Sequence, residues 1–337
     1  MTMIDIEDLN RKLDKVLSTE FYYPNEEDLK KYKPLIQEIV QMPNIKQTHI
    51  SKLLRSYKSL HKNSFLMQVF YELSEKGEMD AKFEPILQKA LAIKKVRSWS
   101  GVLVVTIFTS PYPEYVDDES GIIKKQEFSC AFNCAYCPNE PGQPRSYLKG
   151  EPGVLRANRH KFDCVEQMWA RMNSLAVTGH KVDKLEVIVL GGTWTSYPLP
   201  YREQFCRDIY YAANTFRDPP NTRRLRLSLQ EEKQLNWDAQ VRVIGLTLET
   251  RPDQISKEEL IRFRHYGCTR VQLGVQHVDD NILKKINRKC ATSDTIRSIK
   301  MLKDAAFKVD IHIMPNLPGA TPNLDKDMLM NLSLIHI

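Results

Sequence analysis

GVLVVTIF, residues 101–108, is a short run of apolar and β-branched residues, too brief for a helix and without a polar face. It reads as a strand buried on both sides. Four similar runs follow at long intervals: LEVIVLGG (Leu185–Gly192), VIGLTLET (Val243–Thr250), TRVQLGVQ (Thr269–Gln276) and KVDIHIMP (Lys308–Pro315). Between them, residues 163–178, 201–213, 257–266 and 293–306 space their apolar side chains as helices do. Strands alternating with helices predict an α/β fold with a parallel sheet and right-handed crossovers. Five such strands fit an open doubly wound sheet or a partial (β/α) barrel. In either, a site is expected at the C-terminal ends of the strands.

Upstream, residues 1–98 read as a helical, basic domain. LKKYKPLIQEIVQ and KQTHISKLLRSYKSLHK carry apolar residues at three- and four-residue spacing. No acidic residue occurs from Ile39 to Tyr71, while Lys46, Lys52, Arg55, Lys58 and Lys62 all do. Such a run is either a solvated helix face or a surface for nucleic-acid phosphates. Of the 337 residues, 42% are hydrophobic and 27% charged, which is ordinary for a globular protein. The net charge of +7 is compatible with a polyanionic partner. No stretch approaches the ~20 apolar residues of a membrane helix, so no membrane partner is expected. The polar start, MTMIDIEDLNRKLDK, resembles neither a signal nor a transit peptide, and a cytoplasmic location is expected. Downstream of the fifth run come only a loop, PNLPGATPN, and a helix start, LDKDMLMNLSL. A sheet ending there leaves an open edge, so the chain is expected to be a fragment whose last residues, LSLIHI, are foreign to the native protein.

The chemistry sits in the loop after the first strand, FSCAFNCAYCPNEPGQPRSY. Cys130, Cys134 and Cys137 stand there in the spacing C-x3-C-x2-C, whereas Cys164, Cys206, Cys268 and Cys290 are scattered. An odd total of seven with one tight cluster is not a disulfide framework. Three thiolates hold three irons of a [4Fe–4S] cluster and leave the fourth open. That open iron can chelate the amino and carboxylate groups of S-adenosylmethionine (SAM), and one electron then releases a 5′-deoxyadenosyl radical. The alternative is a structural zinc knot, which wants four ligands. The nearest candidates for a fourth are His160 and Cys164. Tyr136, between the last two cysteines, either packs near an adenine or merely fills the loop. Gly191, Gly192 and Thr193 end the second strand, where glycines allow close approach of a ligand. Glu249 and Arg251 end the third strand, as ligand contacts or as an ion pair with each other. Gln272 and Gln276 share a parity on the fourth strand, and His312 lies on the fifth at a parity the sequence leaves open. Polar groups in strands this apolar need partners.

SGVLVVTIFTSPYP, CAYCPNEPGQPRSYLKGEP, GHKVDKLEVIVLGGTWTSYP, GLTLETRPD, GCTRVQLGVQHVDDNILKKINR and FKVDIHIMPNLPGAT occur in order between Ser100 and Thr321. Together they resemble the catalytic subunit of the Elongator complex, a family of radical-SAM proteins that make carboxymethyluridine at the tRNA wobble position. The resemblance implies a partial radical-SAM barrel over residues 99–337, an N-terminal tRNA-binding helical domain, and an acetyltransferase-like domain that this chain lacks. It implies a [4Fe–4S] cluster on the three cysteines, SAM held by Tyr136, Gly191, Gly192, Thr193, Glu249, Arg251, Gln272 and Gln276, and acetyl-CoA as co-substrate. Lys184 matches the family's acetyl-CoA lysine, a binding and catalytic role, and Arg156 and Arg159 match basic positions suited to phosphates. The implied partners are tRNA and other Elongator-type subunits. In the implied reaction the radical takes hydrogen from the acetyl methyl, and the carbon radical adds to uridine C5. Two features depart from the pattern: the family often places its first cluster cysteine farther upstream, near PYP, and it continues past the point where this chain stops. A divergent branch is expected, and a chain unable to complete turnover alone. Competing expectations are a radical-SAM enzyme of another kind, methylthiotransferase-like or coproporphyrinogen-oxidase-like, and a zinc-stabilised RNA-binding module.

Overall fold

The computed structural model describes residues 24–42, 47–57, 63–91, 96, 99–117, 119–219 and 222–335. The chain divides into two compact units, Met1–Val104 with Trp169–Lys184, and Val105–Met168 with Leu185–Ile337.

The first unit holds α1 (Glu26–Gln41), α2 (Gln47–Ser56), α3 (Asn63–Glu75) and α4 (Glu84–Leu91). The Asn25 side chain accepts from the Asp28 backbone and Asp28 answers to the Asn25 backbone, a capping box that sets the start of α1. From there Leu29, Tyr32, Leu35, Ile36 and Ile39 recur every three or four residues and join Leu66, Phe70, Leu73 and Leu87 in one apolar core. The sequence reading ends its helical domain at residue 98; residues 169–184 also belong to this unit. The amide of Gln68, buried in the core, donates to the carbonyls of Ala176 (3.1 Å) and His180 (3.3 Å). The Ala176 carbonyl, at the end of a helix, also accepts from the Gly179 amide at 2.9 Å, so the Gln68 side chain adds a second donor there and ties this helix end to α3.

The second unit carries most of a five-stranded sheet, and Asp163 aside its helices lie near the expected spans. In chain order from residue 103 the elements are β1 (Leu103–Phe108), a small hairpin of β2 (Glu114–Val116) and β3 (Ile123–Lys125), α5 (Pro152–Arg159), α6 (Cys164–Val177), β4 (Lys184–Leu190), α7 (Leu199–Asn214), α8 (Leu229–Asn236), β5 (Arg242–Thr250), α9 (Lys257–Tyr266), β6 (Arg270–Gln276), α10 (Asp280–Lys285), α11 (Thr292–Asp304), β7 (Lys308–Ile313) and α12 (Pro322–Ile335), of which α6 from Trp169 on and the first residues of β1 and β4 belong to the first unit. The hairpin, α5, α8 and α10 are elements the periodicity reading did not place. The sheet order is β1-β4-β5-β6-β7. Strand order follows chain order without a reversal, and a doubly wound sheet needs a reversal at its switch point. The sheet is therefore the partial-barrel alternative, wound in one direction as in a (β/α) barrel.

Register assigns the faces. Glu249 pairs with Gln272 across β5–β6, Gln272 with Asp310, and Gly274 with His312 across β6–β7. Residues in register share a face, so Glu249, Gln272, Asp310 and His312 look the same way. This settles the parity of His312. The opposite face carries Leu246, Leu248, Val271 and Leu273, all fully buried. Low on the polar face, Arg270 bridges Glu186 (3.2 Å) and Asp310 (2.8 Å). Among the described residues no helix is long and apolar enough to cross a membrane.

Candidate active site

The cysteine loop leaves the C-terminal end of β1 and is pinned on both sides of its middle cysteine. The Ala135 amide donates to the Ile286 carbonyl at 2.9 Å, and the Asn287 side-chain amide donates to the Asn133 carbonyl at 2.7 Å. Asn287 has φ 55°, the left-handed region that Asn tolerates better than most residues. Arg145 adds a backbone bond to Ser129 Oγ (2.8 Å) and a guanidinium bond to Asn133 Oδ1 (2.8 Å). The β2–β3 hairpin is tied to α7 by Gln204, whose amide bonds both the N–H and the carbonyl of Val116.

The glycine pair after β4 explains how this loop lies so close to the strand ends. At Gly192 (φ +70°) a Cβ would stand 2.2 Å from the Ser129 carbonyl oxygen, and at Gly191 (φ +117°) one would stand 2.4 Å from Thr109 Oγ1. Neither position admits a side chain without moving the loop. Thr193 then donates its amide to the Ser129 carbonyl at 3.3 Å, and its hydroxyl meets Cys130 Sγ at 3.2 Å.

A cleft opens beside this junction. Cys130, Cys134, Cys137, Tyr136, Gly192, Thr193, Glu249, Arg251 and Gln276 line it, joined by Arg145, Tyr147 and Arg288. The three thiols face one space without closing on one point, and among the described residues no three His, Cys, Asp or Glu side chains stand as a metal-binding group. Each thiol instead has its own neighbour. Cys134 Sγ, the buried one, receives Arg251 Nη1 and Arg288 Nη1, both at 3.5 Å. Arg288 also donates to the Tyr136 hydroxyl at 3.3 Å and to the Gly274 carbonyl. Burial opposes the Arg288 charge, but the hydrogen bond to the Cys134 sulfur supports it, and its pKa lies above the ordinary value. Burial pushes the Tyr136 phenol well up, so it stays neutral.

The far side of the cleft is built on a carboxylate. Glu249 accepts from the Tyr147 hydroxyl on Oε2 (3.2 Å) and meets His312 Nδ1 on Oε1 (3.1 Å). The Glu249 hydrogen bond raises the pKa of His312 despite partial burial, and burial drives that of Tyr147 far up. The expected alternative of a Glu249–Arg251 pair is not what forms: Arg251 Nε bonds Asp253 Oδ1 at 2.9 Å. Gln276 reaches the cleft from a residue with φ 72°, beyond an irregularity in β6–β7 pairing. Gln272, two residues before that irregular step, lies on the same sheet face as Glu249 but outside the cleft lining.

The remaining sequence candidates sit elsewhere. His160 and Cys164, offered as a fourth zinc ligand, do not line the cleft; the Cys164 thiol is buried against the Phe205 carbonyl and its pKa is pushed well up by burial. Arg156 is half-buried and donates to the Thr106 carbonyl at 2.7 Å, which turns its guanidinium toward the sheet rather than outward to phosphates. Arg159 is half-buried at the end of the same helix. Lys184 opens β4 and holds Asp183 at 3.1 Å, with 43% of its side chain exposed. It belongs to the first unit, as do Lys52 and Arg55, both exposed on α2. Lys46, Lys58 and Lys62 lie outside the described residues. Arg288, Arg145, Tyr147 and Asn287 escaped sequence reading. Arg288 stands in the basic run KKINRK, where nothing local separates a site arginine from a surface one.

Residues 128–329 match the family model described as the Radical SAM superfamily. The tRNA uridine(34) acetyltransferase of Dehalococcoides mccartyi is 36% identical over 232 residues, 69% of this chain and 45% of that protein. The Elongator complex protein 3 of Homo sapiens is 32% identical over 251 residues, 73% of this chain and 42% of that protein. Among solved structures, the archaeal Methanocaldococcus infernus Elp3 with its N-terminus deleted aligns with a TM-score of 0.52 and 30% identity, over 68% of this chain and 42% of that one. The chain thus spans less than half the length of these relatives.

Proposed function

Because the chain belongs to the radical SAM superfamily, we propose that it is the SAM-cleaving part of an enzyme that carboxymethylates C5 of the tRNA wobble uridine with acetyl-CoA. One observation carries the radical-SAM half: Cys130, Cys134 and Cys137 line a single cleft at the C-terminal ends of the strands, without a fourth Cys or His in its lining. That donor set fits a [4Fe–4S] cluster with one open iron better than it fits zinc. The cluster, when bound, supplies the electron that cleaves SAM to a 5′-deoxyadenosyl radical. The substrate half rests on the relatives named tRNA uridine(34) acetyltransferase and Elongator complex protein 3.

Within this reading the chain's residues divide the work. Cys130, Cys134 and Cys137 hold the irons, and the neutral Tyr136 gives the cleft an apolar wall. Gly191, Gly192 and Thr193 keep the cysteine loop against the strand ends. Arg288 offers a cation to the carboxylate of a bound amino acid. Glu249 and Gln276 offer hydrogen-bond acceptors to hydroxyl groups, as a ribose has, with Gln272 beside Glu249 on the same face. Lys184 is assigned to acetyl-CoA on the strength of the family resemblance, and Arg159 to tRNA phosphates. Lys52 and Arg55, one helical turn apart and exposed on α2 opposite the packed Leu53 and Leu54, give the first unit its own phosphate-binding face. Other Elongator-type subunits are the expected protein partners.

Anaerobic reconstitution with iron and sulfide tests the proposal. The expected product is a brown protein that, with dithionite, cleaves SAM to 5′-deoxyadenosine and binds tRNA with an affinity that falls steeply with salt. A colourless protein that takes up zinc instead overturns it.

A further inference from the structure

Arg251 is among the most completely tethered side chains in the site. It is 2% exposed, and Arg is almost never buried that far unless paired. Its Nε donates to Asp253 Oδ1 at 2.9 Å. Its Nη2 donates to the Arg288 carbonyl at 2.6 Å and reaches the Lys289 carbonyl at 3.5 Å. Its guanidinium carbon lies 3.7 Å from the centroid of the Phe132 ring, a cation–π contact with the middle one of the three residues between the first two cysteines. Nη1 is left to address Cys134 Sγ at 3.5 Å.

These contacts leave the guanidinium little freedom to reach for a substrate. Three anchors, from β5's own extension, from the turn after α10 and from the cysteine loop, fix the plane of the fork so that one edge faces a single sulfur. Arg288, by contrast, touches the same sulfur but also faces Tyr136 and the open cleft. The two arginines therefore differ in kind: Arg288 is placed where a ligand can take it, and Arg251 is committed to the protein.

The geometry points to Arg251 as a positioning residue that tunes the reduction potential of the iron–sulfur cluster through an N–H···S bond to the Cys134 ligand. The inference rests on the radical-SAM reading above. A hydrogen bond from a cation to a ligating thiolate draws electron density off the cluster and stabilises the reduced, more negative state. Burial keeps that charge from being screened. The reduced state forms by uptake of one electron from an external low-potential donor, so a higher potential makes it accessible to a weaker donor. Gln at this position keeps a polar side chain but removes the charge and the fork. Lys keeps the charge but cannot reach Asp253, the Arg288 carbonyl and the sulfur together.

The test uses the reconstituted chain and redox titration followed by electron paramagnetic resonance, with iron and sulfide content measured alongside. Expected are wild-type cluster content in Arg251→Gln, a midpoint potential displaced to more negative values, and an altered resonance of the reduced cluster. Arg251→Lys should fall between Arg251→Gln and wild type. A fully loaded Arg251→Gln with wild-type midpoint and spectrum overturns the inference while leaving the radical-SAM reading intact. Should Arg251→Gln fail to hold a cluster, Arg251→Lys decides: a lowered midpoint supports the role and an unchanged one overturns it. A wild-type chain that assembles no cluster removes the radical-SAM reading itself, a distinct result.

Discussion

The two sides of the cleft solve opposite electrostatic problems. On the cysteine side, Arg145, Arg251 and Arg288 crowd around three thiols, and two guanidiniums meet one buried sulfur. On the other, a lone carboxylate, Glu249, is held between a phenol and an imidazole. The first side has an excess of positive charge and suits anions: thiolates and the carboxylate of an amino acid. The second is charge-balanced when His312 is protonated and merely hydrogen-bonded when it is neutral. The cysteine side is therefore rigidly committed to one ligand class, whereas the Glu249 side changes character with pH.

The largest effect should come from the cysteine side. Cys134→Ala removes the one sulfur that both guanidiniums address, so it loses a ligand and leaves two buried cations without their shared partner. The expected result is loss of the iron–sulfur absorption and of SAM cleavage by more than about 100-fold, beyond what removal of a merely supporting residue costs. Cys206→Ala is the matching control. Its thiol is fully buried, with a pKa pushed well up by burial, so it behaves as a small apolar side chain. It should cost about 1–2 kcal/mol of stability and leave the chromophore unchanged. Equal behaviour of the two variants in the cleavage assay would remove the distinction between clustered and scattered cysteines.

The same contrast explains what the sequence made legible. The strands announced themselves because each is a short apolar, β-branched run, and GVLVVTIF and LEVIVLGG could hardly be read otherwise. The cysteine spacing and the Gly191–Gly192 pair are local patterns and were readable for that reason. The Glu249 side was half-readable. Glu249 and His312 stood out as polar residues in strands, but what joins them is the register of β5, β6 and β7, which pairing sets and periodicity does not. Tyr147 lies 102 residues of chain from its partner Glu249, and Arg288 lies 154 from its partner Cys134. Nothing in a linear pattern separates such a tyrosine or arginine from a surface one. The choice between a doubly wound sheet and a partial barrel was likewise a matter of strand order, which five similar strands do not disclose.

The pH response isolates the Glu249 side. The His312 pKa is raised in the folded chain, first by the hydrogen bond to Glu249. A group whose pKa rises on folding contributes stability that is fully present below its unfolded pKa, about 6.5 for His, and that is lost as pH climbs through the folded value. Glu249→Gln removes the charge that holds the proton but keeps an oxygen for Tyr147. The melting temperatures of wild type and Glu249→Gln should thus differ most below the unfolded value of about 6.5 and converge as pH climbs through the raised folded value. A difference that stays constant over this range would mean that His312 is not the group responsible, and the pH-sensitive character of this side would be lost.

The smallest effect tests how far Glu249 depends on its second partner. Tyr147→Phe deletes one hydroxyl, whose bond to Glu249 is 3.2 Å long, and leaves the ring, which packs edge-on against Phe108 with centroids 4.9 Å apart. Because the packing survives, the expected loss is that of a single hydrogen bond, about 1 kcal/mol by denaturant unfolding. The variant also removes a neutral donor from the carboxylate and leaves it the bond to His312. The pH dependence described for wild type should therefore persist in Tyr147→Phe and steepen slightly. Its disappearance would show that the phenol, rather than the register of β5 and β7, brings Glu249 and His312 together, and the Glu249 side would then be as dependent on the loop after the cysteines as the cysteine side is.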